Sequence, residues 1–290
     1  MVPIRTPVET QDERPRADQI DVFGLTHPGK VRTENQDQFL IASLHKTMMV
    51  HYSSMPPDLL GRLTSDSRGF VFLVADGVGG GPSGKLASGT ALQAIVDYVI
   101  HTMDLYIQLD EKSEAAFLDQ LRRSVERSHE KIQTEGGLTD SKGMATTLTM
   151  VVVRWPKAYL LHVGDSRCYR LRNRHLDVMT KDQTMAQVLL DAGALTEDTA
   201  EQSGLKHVLW SALGGREASP DVLTEDIEWD DVMLLCSDGL TKHVSNEEIA
   251  EHLGTKSSSE EIARSLVELT LQRGASDNVT VVVSRLRTQG

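Results

Sequence analysis

The chain has 290 residues, 39% of them hydrophobic and 25% charged, and its 30 basic and 42 acidic side chains give a net charge of −12. Such totals are typical of a globular protein with a substantial core, and the acidic excess argues against a nucleic-acid partner because it repels phosphate backbones. Because it has only two cysteines, no basic-then-apolar signal and no apolar stretch near the roughly 20 residues of a membrane span, we expect a cytoplasmic protein without disulfides.

One domain is predicted for most of the chain, since no repeat or composition break divides it. We place this domain at residues 19–286, between a proline-containing mobile tail over 1–18 and a short tail over 287–290. The polar stretch over 43–69 predicts a long loop insertion, which is uncommon inside a compact domain. One hypothesis is that its methionines and Tyr52 close over a substrate groove.

Apolar spacing predicts the secondary structure of the first half. Short apolar runs indicate strands, and apolar residues three and four apart indicate helices. We therefore expect strands over 21–26, 37–42 and 70–76, a helix over 83–103, and a helix over 113–135 that ends at the pair Gly136-Gly137.

The second half begins with three β-rich runs, over 144–154, 157–164 and 167–173. Only two residues separate each run from the next, and connections that short join antiparallel strands. Beyond them the sequence predicts a helix over 182–193, an irregular span to about 220, a strand over 232–236, two helices that begin with capping boxes at Ser245/Glu248 and Ser258/Glu261, and a last strand over 279–285.

A glycine-rich loop after the strand over 70–76 allows a first functional hypothesis. Gly79, Gly84 and Lys85 match part of a nucleotide-binding loop between a strand and a helix. However, Leu86 stands where a hydroxyl must bind magnesium, and Pro82 removes a backbone N–H from a loop that has to donate them. The antiparallel centre of the chain also differs from the mostly parallel sheet of such folds.

Aspartates at strand ends give a second hypothesis. Three of them close apolar strands beside a glycine, one opens a strand and one precedes the last strand: Asp76, Asp165, Asp238, Asp37 and Asp277. Any one of them alone is more typical of an ordinary turn. Together at one edge of a sheet, five carboxylates would repel one another and raise their pKa values unless cations compensate them.

The ligand types indicate which cations would suit this set. Oxygen ligands without a nearby His or Cys favour magnesium or manganese over zinc. Two such ions can activate a bridging water for an in-line phosphoryl displacement, and Arg32, one loop before Asp37, is able to bind phosphate oxygens bidentately. The aspartates therefore predict metal-dependent phosphate chemistry.

Six motifs in order make the chain resemble the metal-dependent serine/threonine protein phosphatases of type 2C, in particular the short bacterial kind. They are Arg32-x-x-Asn35-Gln36-Asp37, Val74-Ala-Asp-Gly-Val-Gly-Gly80, Ala145-Thr-Thr-Leu148, Val163-Gly-Asp-Ser-Arg167, Ser237-Asp-Gly-Leu240 and Ser276-Asp-Asn-Val279. The resemblance implies an α+β fold, a four-layer α-β-β-α sandwich of two antiparallel sheets flanked by helix pairs, with a metal site at one end.

The resemblance also implies roles for single residues. Two Mn²⁺ or Mg²⁺ ions would be held and bridged by a water that attacks the phosphate without a phosphoenzyme, and a third, weaker ion would lie nearby. The implied positions are Asp76 bridging the two ions, the Gly77 carbonyl on one of them, Asp238 and Asp277 at the first, Asp37 at the second, Asp165 with Asp238 at the third, and Arg32 on the phosphate.

The resemblance also implies substrates and partners, although the sequence differs from the family at some positions. The resemblance implies a monomer that acts on phosphorylated proteins together with a cognate serine/threonine kinase, and a flap over 181–222 that influences substrate choice. Val78 stands where animal and plant relatives carry a histidine proposed as the general acid, and Gln183 replaces a common histidine. The rival hypotheses are a catalytically silent module that binds phosphoproteins and, more remotely, a nucleotide-binding protein that uses Gly79–Lys85.

Overall fold

The computed structural model describes residue 15 and residues 19–45, 69–79, 82–101, 113–138 and 143–287. The predicted tails over 1–18 and 287–290 and the loop over 43–69 lie almost entirely outside these residues, so their roles stay predictions. In the part of the chain that is described, no helix combines the length and the apolar character needed to cross a membrane.

Strands and helices alternate in blocks along the described residues. The strands are β1 (Ile20–His27), β2 (Asp37–Leu44), β3 (Gly69–Val78), β4 (Ala145–Thr146), β5 (Leu148–Arg154), β6 (Lys157–Val163), β7 (Arg167–Arg172), β8 (His175–Val178), β9 (Asp221–Asp226), β10 (Val232–Cys236) and β11 (Val279–Leu286). The helices are α1 (Pro82–His101), α2 (Glu114–Leu138), α3 (Met185–Asp191), α4 (Glu197–Gln202), α5 (Asp238–Thr241), α6 (Asn246–Leu253) and α7 (Ser259–Gln272), with a 3-10 turn at Gly204–His207.

Two antiparallel sheets form the centre of the fold. The first sheet has the strand order β1-β11-β10-β7-β8, and the second has the order β2-β3-β5-β6-β9 with β4 added beside β3. The connections from β5 to β6 and from β6 to β7 are the short ones that predicted antiparallel pairing, and β5 and β6 do pair antiparallel. β6 and β7 instead lie in different sheets, so this second connection passes from one sheet to the other.

Three apolar clusters separate four layers. The side chains of β3 alternate, so Val71 and Leu73 face α1 and α2 while Phe72 and Val74 face the other sheet. A third cluster packs the first sheet against α5, α6 and α7. Burial of an apolar side chain such as Phe72 contributes roughly 1.5–3 kcal/mol to the stability of the fold, so these clusters hold the layers together. The predicted α-β-β-α sandwich is confirmed.

Several elements differ from the sequence prediction. α2 continues through Gly136-Gly137 to Leu138 because its last turns bind a loop from the other half of the chain. There His129 accepts a hydrogen bond from the N–H of Gly214, and Gln133 donates one to the carbonyl of Gly215. Such tertiary contacts offset the roughly 1 kcal/mol that a glycine costs inside a helix.

The span around residues 175–226 contains more structure than predicted. β8, α4 and β9 all lie there, and α3 is shorter than expected because Thr184 caps its N-terminus. β9 is a polar strand at the edge of its sheet, and among the described strands it pairs with β6 alone. Because few of its residues are buried, the sequence shows little of the apolar periodicity that predicts a strand. In contrast, both predicted capping boxes are present, with Ser245 and Glu248 bonded reciprocally before α6, and Ser258 and Glu261 before α7.

Candidate metal centre

The carboxylates meet at one end of the sandwich because four strand ends meet there. The register of β2 with β3 places Asp37 directly opposite Asp76. Asp238 lies two residues after the end of β10, and Asp277 lies two residues before β11, the antiparallel neighbour of β10. The end of one antiparallel strand lies beside the start of the next, so this topology gathers the predicted acids at a single edge.

Glycines permit close backbone approaches around this edge. A Cβ on Gly77 would lie 2.2 Å from the carbonyl oxygen of Gly84, and a Cβ on Gly239 would lie 1.8 Å from that of Asn278. Both distances are impossible for a real side chain. The glycine beside Asp76 and the one beside Asp238 are therefore required by the approach of neighbouring backbone, which brings Gly77 into the wall of the metal cavity described below.

Asp37 is the most deeply enclosed of these acids, with 2% of its surface exposed. Its Oδ2 accepts hydrogen bonds from the hydroxyls of Ser237 and Thr280, each at 2.7 Å, whereas its Oδ1 is buried without a partner. Burial raises the pKa of Asp37 to about 6, against the opposing effect of the two hydroxyl bonds. One buried oxygen of this carboxylate therefore has no hydrogen-bond donor among the described residues.

Asp76 and Asp165 are also destabilised as anions. Burial raises the pKa of Asp76 well above its ordinary value, and the nearby charges of Asp37 and Asp238 raise it further. Burial and the charge of Asp238 do the same for Asp165. No ion pair of the described residues involves Asp37, Asp76 or Asp165, so in that part of the chain no protein cation contacts any of these three carboxylates.

Asp238 and Asp277 have a different environment. The ammonium of Lys242 lies 2.6 Å from Oδ2 of Asp238 and 2.9 Å from Oδ2 of Asp277. Burial raises the pKa of Asp277, but hydrogen bonds from Arg32 and Lys242 more than offset it, and the pKa lies below its ordinary value. Burial lowers the pKa of Lys242, yet the two carboxylates raise it above its ordinary value, so Lys242 stays charged.

Arg32 reaches the same cluster from the loop between β1 and β2. Its Nε and Nη2 donate to the two oxygens of Asp277 at 2.8 and 3.0 Å, while its side chain remains 57% exposed. Asn278 fastens this loop by donating to the carbonyls of Pro28 and Glu34 and by accepting from the N–H of Gln36. The predicted phosphate-binding arginine thus lies at the acidic edge with its outer face open.

Two cavities open beside the cluster. The first, the metal cavity, has a volume of about 570 Å³ and is lined by Arg32, Asp76, Gly77, Asp165, Asp238 and Asp277. The second, the flap cavity, has a volume of about 590 Å³ and shares Asp165, Lys206, His207, Asp238 and Lys242 with the first. The two cavities therefore adjoin each other, one at the acids and the other beside the predicted flap.

The base of the predicted flap is tied to the site by two side chains. Arg167 forms a bidentate pair with Asp182, at 2.8 and 2.7 Å. Gln183 accepts a hydrogen bond from the N–H of Gly164, next to Asp165, and donates to the carbonyl of Ser219 and to Asp221. Gln183 thus joins both ends of the flap to the turn that carries Asp165.

One observation speaks against a metal ion bound by these residues, and another speaks for it. Within the described ranges, no group of three or more His, Cys, Asp or Glu side chains is arranged to hold a metal ion as it stands, and Lys242 and Arg32 contact the oxygens of Asp277. Yet buried Oδ1 atoms of both Asp37 and Asp238 lack a partner, and every candidate donor is an oxygen. Hard divalent cations suit such donors, so the residues fit the predicted metals.

Sequence reasoning missed some residues that shape the site. Lys242 follows Asp238 by four residues, the spacing that brings opposite charges together on a helix, and this signal was available. The hydroxyl of Thr280 and that of Thr147, which accepts from the N–H of Asp76, sit in ordinary β-rich runs. Nothing local distinguishes those threonines from other strand residues.

The protein is an α+β sandwich whose acidic end suits divalent cations and opens into a cavity beside an arginine. The chain belongs to the protein phosphatase 2C family, whose model matches residues 58–278.

Named relatives agree with this assignment. The chain is 35% identical over 215 residues, 74% of its length, to the serine/threonine protein phosphatase PstP of Mycobacterium tuberculosis, and spans 40% of that protein. It is 29% identical over 265 residues to the protein phosphatase PhpP of Streptococcus pneumoniae, covering 91% of this chain and 96% of PhpP. Its fold matches a crystal structure of the catalytic domain of PstP in complex with two manganese ions, with a TM-score of 0.71, 30% identity and coverage of 93% and 99%.

Proposed function

We propose that this protein hydrolyses phosphoserine and phosphothreonine esters on proteins in a reaction that depends on Mn²⁺ or Mg²⁺. The observation that carries the proposal is the acidic end of the sandwich, where five carboxylates from both sheets meet. Two of their buried oxygens lack a partner and three of the acids have no ion pair among the described residues. Family membership and relatives named serine/threonine phosphatases support the same activity.

Two ions form the core of the proposed site. Asp76, Asp238 and Asp277 would hold one ion, Asp76 with Asp37 would hold the other, and the Gly77 carbonyl would contact one of the two. Asp165 with Asp238 would hold a third, weaker ion. When bound, the ions supply a water nucleophile at neutral pH and stabilise the charge of an in-line phosphoryl displacement. The manganese complex of the PstP catalytic domain supports the number and kind of the first two.

Arg32 orients the phosphate in this proposal. Its guanidinium offers a planar set of donors that fits two phosphate oxygens, and its exposed face opens into the metal cavity. Asn278 holds the loop that carries Arg32, so the position of the guanidinium relative to Asp277 is set by the fold before substrate arrives. Preorganisation of this kind lowers the entropic cost of aligning the reacting phosphate.

The two cavities suit a protein substrate rather than a free phosphate ester. The flap cavity adjoins the metal cavity, so the residues flanking a phosphoserine can extend beneath the predicted flap over 181–222. We propose phosphorylated proteins as substrates, a cognate serine/threonine kinase as partner, a monomeric state and a cytoplasmic location. The names of the relatives and the absence of a nucleic-acid-binding charge support this choice.

The test is release of phosphate from a phosphothreonine peptide by purified protein, with Mn²⁺ or with excess EDTA. We expect turnover with Mn²⁺, none with EDTA, and loss of turnover in Asp238→Asn. Asp119→Asn, which removes an exposed carboxylate on α2, serves as the matched control and should keep native turnover. Binding of Mn²⁺ and of phosphopeptide without any turnover would favour the silent binding module instead. Binding of ATP that is lost in Lys85→Ala would favour a nucleotide-binding protein.

A further inference from the structure

Lys242 occupies an unusual position inside the candidate metal centre. It lies one residue beyond α5 and four residues after Asp238, and its side chain is 23% exposed. Its Nζ contacts carboxylate oxygens on both sides, 2.6 Å from Asp238 and 2.9 Å from Asp277. A single positive group thus bridges the two acids at the ends of the adjacent strands β10 and β11.

This arrangement differs from an ordinary ion pair on a helix surface. Arg123 and Asp119 of α2 have the same four-residue spacing, but their side chains are 57% and 53% exposed and form one pair. Exposed pairs of that kind contribute little because water screens them. Lys242 and its two carboxylates are largely shielded from water, so their attraction is stronger and its loss is measurable.

The position of the ammonium has a chemical meaning. Asp238 and Asp277 present oxygen donors to a common point, which is how two carboxylates hold a divalent cation. Lys242 fills that point with one positive charge, and Arg32 engages both oxygens of Asp277 as well. A metal ion that takes Oδ2 of Asp238 or an oxygen of Asp277 as a ligand must displace the ammonium or loosen the guanidinium.

We propose that Lys242 is an internal counter-cation that competes with the divalent metal at Asp238 and Asp277. The inference rests on the proposed function, since it presupposes that these acids bind metal. Lys242 stabilises the metal-free protein and weakens metal binding by the same interaction. The ion pairs that Lys242 forms without metal must be broken when the metal binds, and their loss subtracts from the free energy of binding. The enzyme therefore becomes active only above a metal concentration that Lys242 sets.

The experiment is isothermal titration of the chelator-treated full chain with Mn²⁺. The relevant class of sites is the one lost in Asp277→Asn. For Lys242→Met, we expect the dissociation constant of this class to fall at least about tenfold, and unfolding in EDTA to occur at a lower temperature than in the native chain. Lys242→Arg keeps the charge and should leave the affinity within about threefold of native, and Arg123→Met is the matched control for loss of one positive charge elsewhere.

Three results would overturn the inference. Unchanged affinity in Lys242→Met would mean that no competition exists, and weaker affinity would mean that Lys242 instead orients the carboxylates for the metal. If Lys242→Met does not fold without metal, Lys242→Gln, which keeps a hydrogen-bond donor without the charge, takes its place with the same expected direction. Failure of the native chain to bind Mn²⁺ at all would overturn the proposed function as well, so the two failures are distinguishable.

Discussion

The acids at the end of the sandwich fall into two halves with different partners. Asp37, Asp76 and Asp165, the half without ion pairs among the described residues, have pKa values raised by burial and, in each case, by the charge of Asp238. Asp238 and Asp277, the ion-paired half, contact Lys242, and Asp277 also contacts Arg32. An added divalent cation would therefore relieve electrostatic repulsion in the first half, whereas in the second half it would have to replace cations that are already in contact with the carboxylates.

Replacing Asp76 is the strongest test of this division. Because Asp76 is the acid expected to bridge both ions, Asp76→Asn should lower turnover of a phosphopeptide at least about 100-fold, or about 2.7 kcal/mol of activation free energy. In EDTA the same variant should be more stable than the native chain, since it removes a buried like charge. Initial rates and thermal unfolding check both results.

Asp238→Asn provides the contrast between the halves. It should lower turnover as strongly, but in EDTA it should stabilise the protein less than Asp76→Asn does, because the carboxylate partner that Lys242 loses offsets the repulsion that the change relieves. Equal stabilisation by Asp76→Asn and Asp238→Asn would show that the two halves do not differ electrostatically.

The pH dependence of stability in EDTA is the next largest expected effect. The pKa of Asp37 rises from an ordinary 3.8 to about 6 in the folded state, and those of Asp76 and Asp165 also rise. These groups therefore contribute stability that is full below about pH 4 and is lost as the pH rises through their folded pKa values. For Asp37 the loss is of order 1–3 kcal/mol between pH 4 and 7.

Thermal unfolding from pH 5 to 8 measures this effect. The unfolding temperature of the metal-free chain should fall over that interval, and the fall should be smaller in Asp37→Asn. Mn²⁺ should abolish it, because the bound cation favours the ionised carboxylates. The lowered pKa of Asp277 acts in the opposite sense, with stability lost only as the pH falls below its ordinary value. A constant or rising unfolding temperature in EDTA would contradict the raised pKa values.

Arg32→Ala tests whether the exposed arginine of the ion-paired half binds the phosphate. Loss of the guanidinium should raise KM for a phosphopeptide about tenfold, since the phosphate loses a bidentate partner. Stability should change by less than about 1 kcal/mol because the Arg32 side chain is largely exposed. Steady-state kinetics measure this KM. Arg32→Lys, which keeps the positive charge but lacks the planar guanidinium, serves as the comparison variant. An unchanged KM would remove Arg32 from the phosphate site.

Thr280→Val gives the smallest expected effect. It removes one of the two hydroxyl donors to Asp37 while keeping the β-branched shape of the side chain. We expect a loss of about 1 kcal/mol in the free energy of unfolding at pH 8 in EDTA, measured by urea denaturation. The loss should shrink at pH 5, where Asp37 is protonated. A loss that is the same at both pH values would mean that the hydroxyl does not stabilise the ionised carboxylate.

The fold was predictable where local signals suffice. Two-residue connections indicated antiparallel strands, capping boxes marked the starts of α6 and α7, and Asp-Gly pairs placed Asp76 and Asp238 at strand ends. Contacts between distant parts of the chain were not predictable. Lys242 reaches Asp277 across 35 residues, and α2 continues past its glycines because of a loop near Gly214. Such features depend on tertiary packing rather than on periodicity.

Anomalous diffraction at the manganese edge, from crystals grown with Mn²⁺, tests the proposed metal site most directly. We expect two strong anomalous peaks among Asp37, Asp76, Asp238 and Asp277, with the ammonium of Lys242 moved away from both of its carboxylates. Manganese peaks elsewhere, or none at these acids while Lys242 keeps its 2.6 and 2.9 Å contacts, would contradict this expectation.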